Sequence, residues 1–362
     1  MGQNKLLGIS DELVESVANF RMPENLGFGK IKAPLMARAV FEGGQWSEPE
    51  IVACETIELD PFCKTFHYGQ QIFEGMKAYR RPDQSPALFR WVENFHRFNV
   101  SAERMAMPSL DKELFSRALK SLVHHLIPII PTGFGESLYL RPLMFALDEG
   151  LSLGHSERYL FLILASPSAA YFQTAEVKAL IERENCRAAP GGTGFVKVAG
   201  NYGASIRSAL VAKQLGYQQT LWLDGLQKRY IEEFSGMNFF AVIDDSLVTP
   251  ELTDTILPGI TRNSLIWLAK QRGISVREEK LDIDLVLESI STGQCSEIFA
   301  CGTAAVVSPI AALGEKNGKL YELPKSGGKL TKMLGDTLVS IQYQMESAPA
   351  SWVDVITPDS IH

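Results

Sequence analysis

The sequence has no concentrated basic segment. Its formal net charge is −7 at pH 7, and the longest lysine and arginine groupings are pairs such as Arg80-Arg81 and Lys228-Arg229. Nucleic-acid phosphates repel an acidic protein that lacks a basic patch. We therefore exclude nucleic acid as a partner.

Long apolar runs are also missing. A helix that crosses a bilayer needs about 20 mostly apolar residues. The best run here, 159–165, is short and is followed by Ser166-Pro167, which predicts a buried strand. The first residues lack the apolar segment of a secretory signal. The sequence thus predicts a cytoplasmic protein with no membrane partner.

Cysteine is scarce, and its spacing is not that of a metal site. The five cysteines are an odd number, and their positions fit neither a zinc site nor a disulfide framework. The adjacent His124 and His125 would point in different directions on a helix, so they would not readily share a metal. We expect reduced thiols, typical of a cytosolic protein, and no metal.

The length of the chain points to two domains. A chain of 362 residues exceeds the size at which one hydrophobic core is usual. Residues that break regular structure are frequent between 173 and 194. We predict a linker near 171–178 and domains over 1–174 and 175–362.

Helical and strand patterns are mixed through both halves. Apolar periodicity and helix terminators predict four helices, over 93–107, 111–126, 204–215 and 260–271. Shorter apolar runs predict strands over 52–59, 138–145, 159–165, 221–223, 230–233, 238–243, 298–301 and 304–307. Strict βαβ alternation is missing, so we predict an α+β fold.

Lys197 is the first candidate for chemistry. It lies between Val196 and Val198, after a glycine-rich segment at 191–194 that matches neither nucleotide-binding loop pattern. Apolar neighbours favour the free amine over the ammonium ion, and a free amine attacks carbonyl groups. An exposed strand lysine is the plainer interpretation, and this segment alone favours it.

Three further segments each have a chemical and a plain interpretation. Glu232-Glu233 is either a solvated hairpin pair or a carboxylate directed at a ring nitrogen. Residues 257–262 are either an ordinary loop-to-helix junction or an anion site, because helix N-termini present N–H groups to phosphate. Gly302-Thr303-Ala304 is either a tight turn or a place where a ligand approaches the backbone.

The order of these segments is more specific than any one of them. The segments are FHYGQQIFEGMKAY (66–79), LFR (88–90), LYLRP (138–142), VK and GNYG (196–203), EFSGMN (233–238), LPGI (257–260) and GTA (302–304). With them the sequence resembles the branched-chain-amino-acid aminotransferases among the fold-type IV pyridoxal-phosphate enzymes, over about residues 28–309. The first and third segments favour this branch over the shorter D-amino-acid aminotransferases and aminodeoxychorismate lyases.

The resemblance implies an α+β, fold-type IV enzyme with two α/β domains and pyridoxal 5'-phosphate at the domain interface. The N-terminal domain would be small, and the large C-terminal domain would bind the cofactor and contain a barrel-like sheet. The implied activity exchanges amino groups between leucine, isoleucine or valine and 2-oxoglutarate in a homodimer. No ranking among the three is predicted, because one methylene is worth only about 1–3 kcal/mol in an apolar pocket.

Two alternatives to this activity are another fold-type IV transaminase or lyase, and an inactive relative with a binding role. The presence of Lys197, Tyr202, Glu233 and Arg97 together argues against an inactive relative.

The resemblance also implies a role for each site residue. Lys197 forms the covalent link to the cofactor and moves the substrate proton. Glu233 keeps the pyridine nitrogen protonated, and Tyr202 hydrogen-bonds the ring hydroxyl. The other implied contacts are Arg97, Ile260, Thr261 and Thr303 for the phosphate; Thr303 and Ala304 for the substrate carboxylate; and Phe28, Tyr68, Phe73, Tyr139 and Tyr202 for the aliphatic side chain.

Arg141 has two interpretations of equal weight. It lies two residues from Tyr139, so on a strand both side chains share a face. It then admits the γ-carboxylate of 2-oxoglutarate, which an apolar pocket alone would desolvate at high cost. The alternative is a structural pair with a carboxylate such as Asp148.

Two positions depart from the family pattern. Gly236 stands where some members have threonine, so a hydrogen bond is lost there or comes from Ser235. Ala305 and Ser308 stand where some members have a redox pair of cysteines. We therefore expect no redox switch at that turn.

Overall fold

The computed structural model describes residues 6–169, 177–324 and 328–356. Its contacts divide the chain into two compact units, residues 1–171 with 340–362 and residues 172–339. Helices and strands are mixed without regular alternation in both units, so the prediction of an α+β fold is confirmed. In the described residues every helix is too short or too polar to span a bilayer.

The first unit contains one antiparallel sheet and the helices that pack on it. Its described helices, numbered along the chain, are α1 (Asp11–Ala18), α2 (Lys64–Tyr68), α3 (Trp91–Arg104) and α4 (Lys112–His125), with a 3-10 turn at Ile127–Ile129. Its described strands are β1 (Leu35–Glu42), β2 (Gln45–Trp46), β3 (Glu50–Ala53), β4 (Gln71–Phe73), β5 (Met76–Arg80), β6 (Pro86–Phe89), β7 (Ser137–Ala146), β8 (Tyr159–Ser168) and β18 (Val353–Val355).

The strand order in the described part of this sheet is β18-β6-β5-β7-β8-β1-β2, with β3 on β1 and β4 on β7. Phe98 of α3, Phe115 of α4 and Phe161 of β8 form an aromatic core, with ring centroids 5.7 to 6.1 Å apart. All three rings are fully buried, so the apolar faces of both helices are held against the sheet.

The predicted domain limits need correction at the C-terminal end. Residues 340–362 belong to the first unit, which is also the larger of the two. The cause is strand pairing, because β18 bonds antiparallel to β6 and the Trp352 ring packs edge-on against Phe89 at 5.7 Å. The predicted limit at 174 and most of the predicted linker, 171–178, fall on 170–176, outside the described residues.

The second unit contains the other sheet. Its described helices are α5 (Ala199–Gln214), α6 (Ile260–Gln271), α7 (Ile283–Thr292) and α8 (Lys329–Gln342), whose last residues fall in the first unit. Its described strands are β9 (Val177–Glu182), β10 (Gln219–Leu223), β11 (Ile231–Phe234), β12 (Met237–Ile243), β13 (Ser246–Pro250), β14 (Val276–Glu279), β15 (Cys295–Gly302), β16 (Val306–Gly314) and β17 (Leu320–Glu322).

Pairing of β11 with β12 closes part of this sheet into a ring. Within the described residues the ring runs β11-β10-β9-β16-β15-β12 and back to β11. Its β9 lies parallel to both neighbours. Apolar residues of the ring strands, among them Leu221, Phe239 and Ala300, pack in one cluster with Ile283 and Leu287 of α7. The ring therefore fixes the ends of β11 and β12, where the candidate site lies.

The structure departs from the strand prediction at several places. The strand predicted over 304–307 begins only at Val306, because residues 303–305 form the turn after β15. The strand predicted over 52–59 ends at Ala53, because its partner β1 begins at Leu35, directly opposite. The charged stretch 176–184 showed little periodicity, yet it contains the buried strand β9. Its Glu182 is accommodated because the carboxylate accepts two backbone N–H groups of the following turn.

Phe240 and Phe299 stack across β12 and β15 with their ring centroids 5.1 Å apart, and both are fully buried. Phe299→Ala should lower the free energy of unfolding by about 3–5 kcal/mol, because it removes the stack and leaves a cavity. Urea unfolding measures the change. Leu226→Ala, at a residue that is 78% exposed, is the control and should stay within about 0.5 kcal/mol. Equal losses in the two variants would contradict this core.

Candidate active site

Lys197 lies just before helix α5, which begins five residues earlier than predicted, at Ala199. Its Nζ donates to the Tyr202 hydroxyl at 2.7 Å and lies 5.0 Å from the centre of the Tyr202 ring. Val196 and Val198 are both buried. The interpretation as an exposed strand lysine is therefore wrong, because the amine is half-buried beside a phenol at a helix N-terminus.

Asn201 connects the glycine-rich loop to α5. Its side-chain amide donates to the carbonyl groups of Thr193 at 2.7 Å and Val196 at 3.0 Å. Its Oδ1 accepts the Thr193 hydroxyl at 2.7 Å. These three bonds hold the backbone immediately before Lys197, so the loop positions the lysine.

Glu233 lies on β11, opposite Asn238 of β12, and its side chain is 4% exposed. Its Oε2 accepts the Leu257 N–H at 3.1 Å, and its Oε1 lies 3.0 Å from Arg187 Nε. Asn238 Nδ2 donates to the Leu257 carbonyl at 2.9 Å. The interpretation as a solvated hairpin charge is therefore wrong, because the carboxylate is buried among polar partners.

Glu232 has a different environment from its neighbour, since successive strand residues point to opposite faces. It is buried, its Oε1 accepts the Thr255 hydroxyl at 2.5 Å, and it lines a cavity of about 210 Å³. Burial raises the pKa of Glu232 to about 7, although the Thr255 hydrogen bond opposes this shift. Glu232 therefore changes charge near neutral pH.

Three glycines bring separate segments against the β11–β12 turn. Gly236, in this turn, has φ +73°, and a Cβ added to it would lie 3.8 Å from Tyr202 Cε1. A Cβ on Gly302 would lie 3.2 Å from Met237 Cγ, and one on Gly259 would overlap Asn238 Oδ1 at 1.9 Å. In the second unit, helix α5 with Tyr202, the turn at Gly302 and the start of α6 therefore all lie close to the β11–β12 turn.

The segments predicted to bind phosphate and carboxylate are a helix start and a tight turn. Helix α6 begins at Ile260, as predicted, and its N-cap Gly259 has no side chain to cap it. Thr303 and Ala304 lie in the β15–β16 turn, whose last pair includes Val306. Val306 has φ +60°, which is strained for a β-branched residue. Strain of this kind clusters at ligand sites.

In the first unit, four predicted substrate residues form one cluster. Arg141 Nη2 donates to the Tyr139 hydroxyl at 3.1 Å, and its Cζ lies 4.7 Å from the centre of the Phe73 ring. The rings of Phe28 and Tyr139 pack edge-on at 4.8 Å. Phe28, Tyr139 and Arg141 line a cleft of about 560 Å³.

Arg141 is not held by the predicted carboxylate partner. Asp148 instead accepts a backbone N–H at 2.7 Å, and Arg141 Nε is buried without a hydrogen-bond partner. The structural alternative for Arg141 is therefore wrong in the form of an Asp148 pair. A buried donor of this kind fits an anionic ligand group.

Tyr68 is not part of the Arg141 cluster. It ends α2 and is 37% exposed. Its hydroxyl donates to the Leu151 carbonyl, and its ring lies 6.2 Å from His67. Within the first unit the structure therefore does not bring Tyr68 together with the other predicted substrate residues.

Arg97 lies on α3 and is buried against Glu74. Its Nε donates to Glu74 Oε1 at 2.6 Å and its Nη2 to Oε2 at 2.9 Å. Asn94 Nδ2 donates to the same carboxylate at 2.8 Å. This bidentate pair orients the guanidinium, and the phosphate role of Arg97 stays a prediction.

Sequence reasoning missed Arg187, Asn201 and Glu74. Asn201 and Glu74 lie inside the GNYG and FEG motifs, which are a usable signal for both. Arg187 follows no spacing rule relative to Glu233, because a loop, helix α5 and strand β10 separate them in the chain.

Comparison with known proteins identifies the family. Residues 71–313, more than half of the chain, match the model of amino-transferase class IV. The chain belongs to this family.

Relatives in amino-transferase class IV align with most of the chain. It is 44% identical over 321 residues to "Probable branched-chain-amino-acid aminotransferase" of Staphylococcus aureus (strain N315), covering 88% of this chain and 89% of the relative. It is 42% identical over 334 residues to branched-chain-amino-acid transaminase 1 of Bacillus subtilis (strain 168), covering 91% and 94%. The solved branched-chain amino acid aminotransferase of Escherichia coli matches with a TM-score of 0.72 at 28% identity, covering 88% and 99%.

Borohydride reduction of the protein with pyridoxal phosphate should tag Lys197, because its amine is held by the Tyr202 hydroxyl at the end of a fixed loop. Peptide mapping locates the tag. Lys77 is the internal comparison, since burial lowers its pKa to about 8 and favours a free amine there too. A tag on Lys77, or a tag that survives Lys197→Ala, would contradict the assignment.

Glu232 should make stability depend on pH in a defined direction. Its folded pKa of about 7 lies above the ordinary value of 4.5, so between these values the folded protein holds a proton that the unfolded chain has released. The contribution of Glu232 to the free energy of unfolding therefore falls as pH rises through that window.

Glu232→Gln should remove this dependence. From pH 5 to pH 8 the free energy of unfolding of the variant should therefore rise by about 1–2 kcal/mol relative to that of the wild type. Urea unfolding at the two pH values measures it. Glu184→Gln, at a side chain that is 70% exposed, should keep the wild-type dependence. An unchanged pH profile in Glu232→Gln would reject the explanation.

Proposed function

We propose that this protein is a branched-chain-amino-acid transaminase, which exchanges amino groups between L-leucine, L-isoleucine or L-valine and 2-oxoglutarate, with pyridoxal phosphate held on Lys197. One observation carries the proposal. In a chain of this family, Lys197 bonds to Tyr202, the Tyr202 ring lies beside Gly236 of the β11–β12 turn, and Glu233 is buried near the end of β11 that leads into this turn.

The residues of the second unit fit this cofactor by their chemistry. An amine suits its aldehyde, a phenol its ring hydroxyl and a buried carboxylate its ring nitrogen. The start of α6, with Ile260 and Thr261, suits its phosphate because helix N-termini attract anions. Thr303 and Ala304 add a hydroxyl and backbone donors. When bound, pyridoxal phosphate supplies the electron sink for the charge left on the substrate.

Lys197 has two tasks in this proposal. Its Nζ would hold the cofactor covalently, and the same amine, when free, would take the proton from the substrate Cα. The Tyr202 hydroxyl, 2.7 Å from Nζ, orients the amine. Asn201 fixes the backbone before Lys197, so the same atom returns to the same place in both tasks.

Glu233 acts on the ring nitrogen. An ionised carboxylate there stabilises a protonated nitrogen, and the benefit grows as negative charge develops on the substrate. Burial strengthens this electrostatic effect, since water does not screen it. The Leu257 N–H fixes the second carboxylate oxygen and leaves Glu233 little freedom to turn away.

Arg141 explains how one pocket serves two substrates. Phe28, Phe73 and Tyr139 give an apolar surface for a branched side chain. The buried Nε of Arg141, which has no hydrogen-bond partner, supplies a donor for the γ-carboxylate of glutamate or 2-oxoglutarate. Because the guanidinium packs over the Phe73 ring, with Cζ 4.7 Å from the ring centre, its presence does not remove the apolar surface.

A homodimer in the cytoplasm completes the proposal. Phe62, Phe66, Leu151 and Leu153 are 53 to 85% exposed, and the Gly150 N–H donates to the Phe62 carbonyl, so the two segments lie together. Such an exposed apolar patch supports a contact with a second copy. All five cysteines are free, which supports a reducing compartment.

Half-reactions test this function. The wild type should convert leucine and glutamate to their oxo acids in single turnovers. Arg141→Met should slow the glutamate reaction about 10- to 100-fold more than the leucine reaction, because only glutamate loses a charged partner. Chromatography of the oxo acids measures both rates. Arg158→Met, at a side chain that is 48% exposed, is the control. Equal losses in both half-reactions would reject the role of Arg141, and no conversion by the wild type would reject the function.

A further inference from the structure

Arg187 lies beside Glu233 and is nearly as buried, with 7% of its side chain exposed. It follows β9 in the loop that leads to Lys197. Its Nε is 3.0 Å from Glu233 Oε1, but the N–H does not point at the oxygen as a hydrogen bond would. The contact is therefore an ion pair, in which the charge matters more than the alignment.

The guanidinium is clamped by two backbone carbonyl groups. Nη2 donates to the Gly194 carbonyl at 3.0 Å and to the Thr255 carbonyl. A Cβ on Gly194 would lie 2.6 Å from both Ala188 Cβ and Thr255 Cα, so only glycine lets these segments close over Arg187. The charge is thus fixed in place by the loop that also holds Lys197.

The position of this charge has an electrostatic consequence. Burial alone favours the neutral form of a carboxyl group, whereas a cation within 4–6 Å favours the ionised form. Glu233 is buried, and the neighbouring Glu232 adds a second carboxyl group to the same strand. A fixed cation at 3.0 Å opposes both effects at Glu233.

We propose that Arg187 is a positioning residue, which keeps the Glu233 carboxylate ionised and aligned so that it can hold the cofactor ring nitrogen in its protonated form. The inference rests on the proposed function and goes beyond it, because Arg187 itself does not act on the substrate. The alternative is that Arg187 only closes the loop between β9 and α5.

Arg187→Gln should lower kcat for leucine about 10- to 100-fold, because the buried carboxylate loses the cation that favours its ionised form. KM should stay within about threefold, since the variant leaves the substrate contacts intact. Arg187→Lys keeps the charge and should recover part of the loss. Nitrogen NMR of isotope-labelled pyridoxal phosphate should show a protonated ring nitrogen in the wild type and an unprotonated one in Arg187→Gln.

A double-mutant cycle separates positioning from loop closure. If Arg187 acts through Glu233, adding Arg187→Gln to Glu233→Gln should change kcat by less than about twofold. If Arg187 only closes the loop, the losses in kcat of the two single variants should multiply in the double variant, and the ring nitrogen should stay protonated in Arg187→Gln. This result would overturn the proposal. Arg183→Gln, which removes ion pairs to Glu315 and Asp284 in the same unit, is the control and should leave kcat unchanged.

Three outcomes distinguish this inference from the function on which it rests. A wild type without transamination and without a borohydride-reducible link would reject the function. An active wild type with Arg187→Gln within threefold of it would reject only the role of Arg187. If Arg187→Gln does not fold, Arg187→Lys answers the same question, since an unprotonated ring nitrogen in that variant would also overturn the proposal.

Discussion

A buried carboxylate is the constraint on which the site in the second unit depends. Removing the Glu233 charge from water is costly unless donors and a counter-charge replace the lost solvent. The Leu257 N–H and the Arg187 guanidinium do so, and they come from segments far apart in the chain. The closed strand ring holds these segments together. The same ring places Asn238 where it bonds the Leu257 carbonyl and so fixes the approach to α6.

Two arginines of the first unit show how partners decide what a guanidinium can do. Arg97 is gripped by the fully buried Glu74 through two of its nitrogens, so its direction is set by protein. Arg141 instead rests on the rings of Phe73 and Tyr139, and its buried Nε has no partner. The first arrangement provides a rigid, partly neutralised charge. The second provides a donor that remains to be satisfied by a ligand.

Features that depend on neighbouring residues could be predicted from the sequence. The bounds of α6 agree with prediction because Pro258-Gly259 before it and Gly273 after it are local signals. The contact between Lys197 and Tyr202 follows from their five-residue separation across a helix start. The motif order also predicted the family, since each motif serves a short backbone segment whose sequence requirements are local. To this extent the sequence by itself determined the fold class, the family and the central residues of the candidate site.

Only the tertiary structure decided which distant segments meet. The burial of Glu232 and Glu233, the role of Arg187 and the return of β18 to the first sheet all depend on partners far along the chain. Propensity and periodicity depend only on residues that are close in the chain and carry no information on such partners. For this reason β9 shows little periodicity in the sequence and is nevertheless a central strand. The physical reason is that strand pairing and the compensation of buried charge are non-local energies, which exist only after the chain has folded.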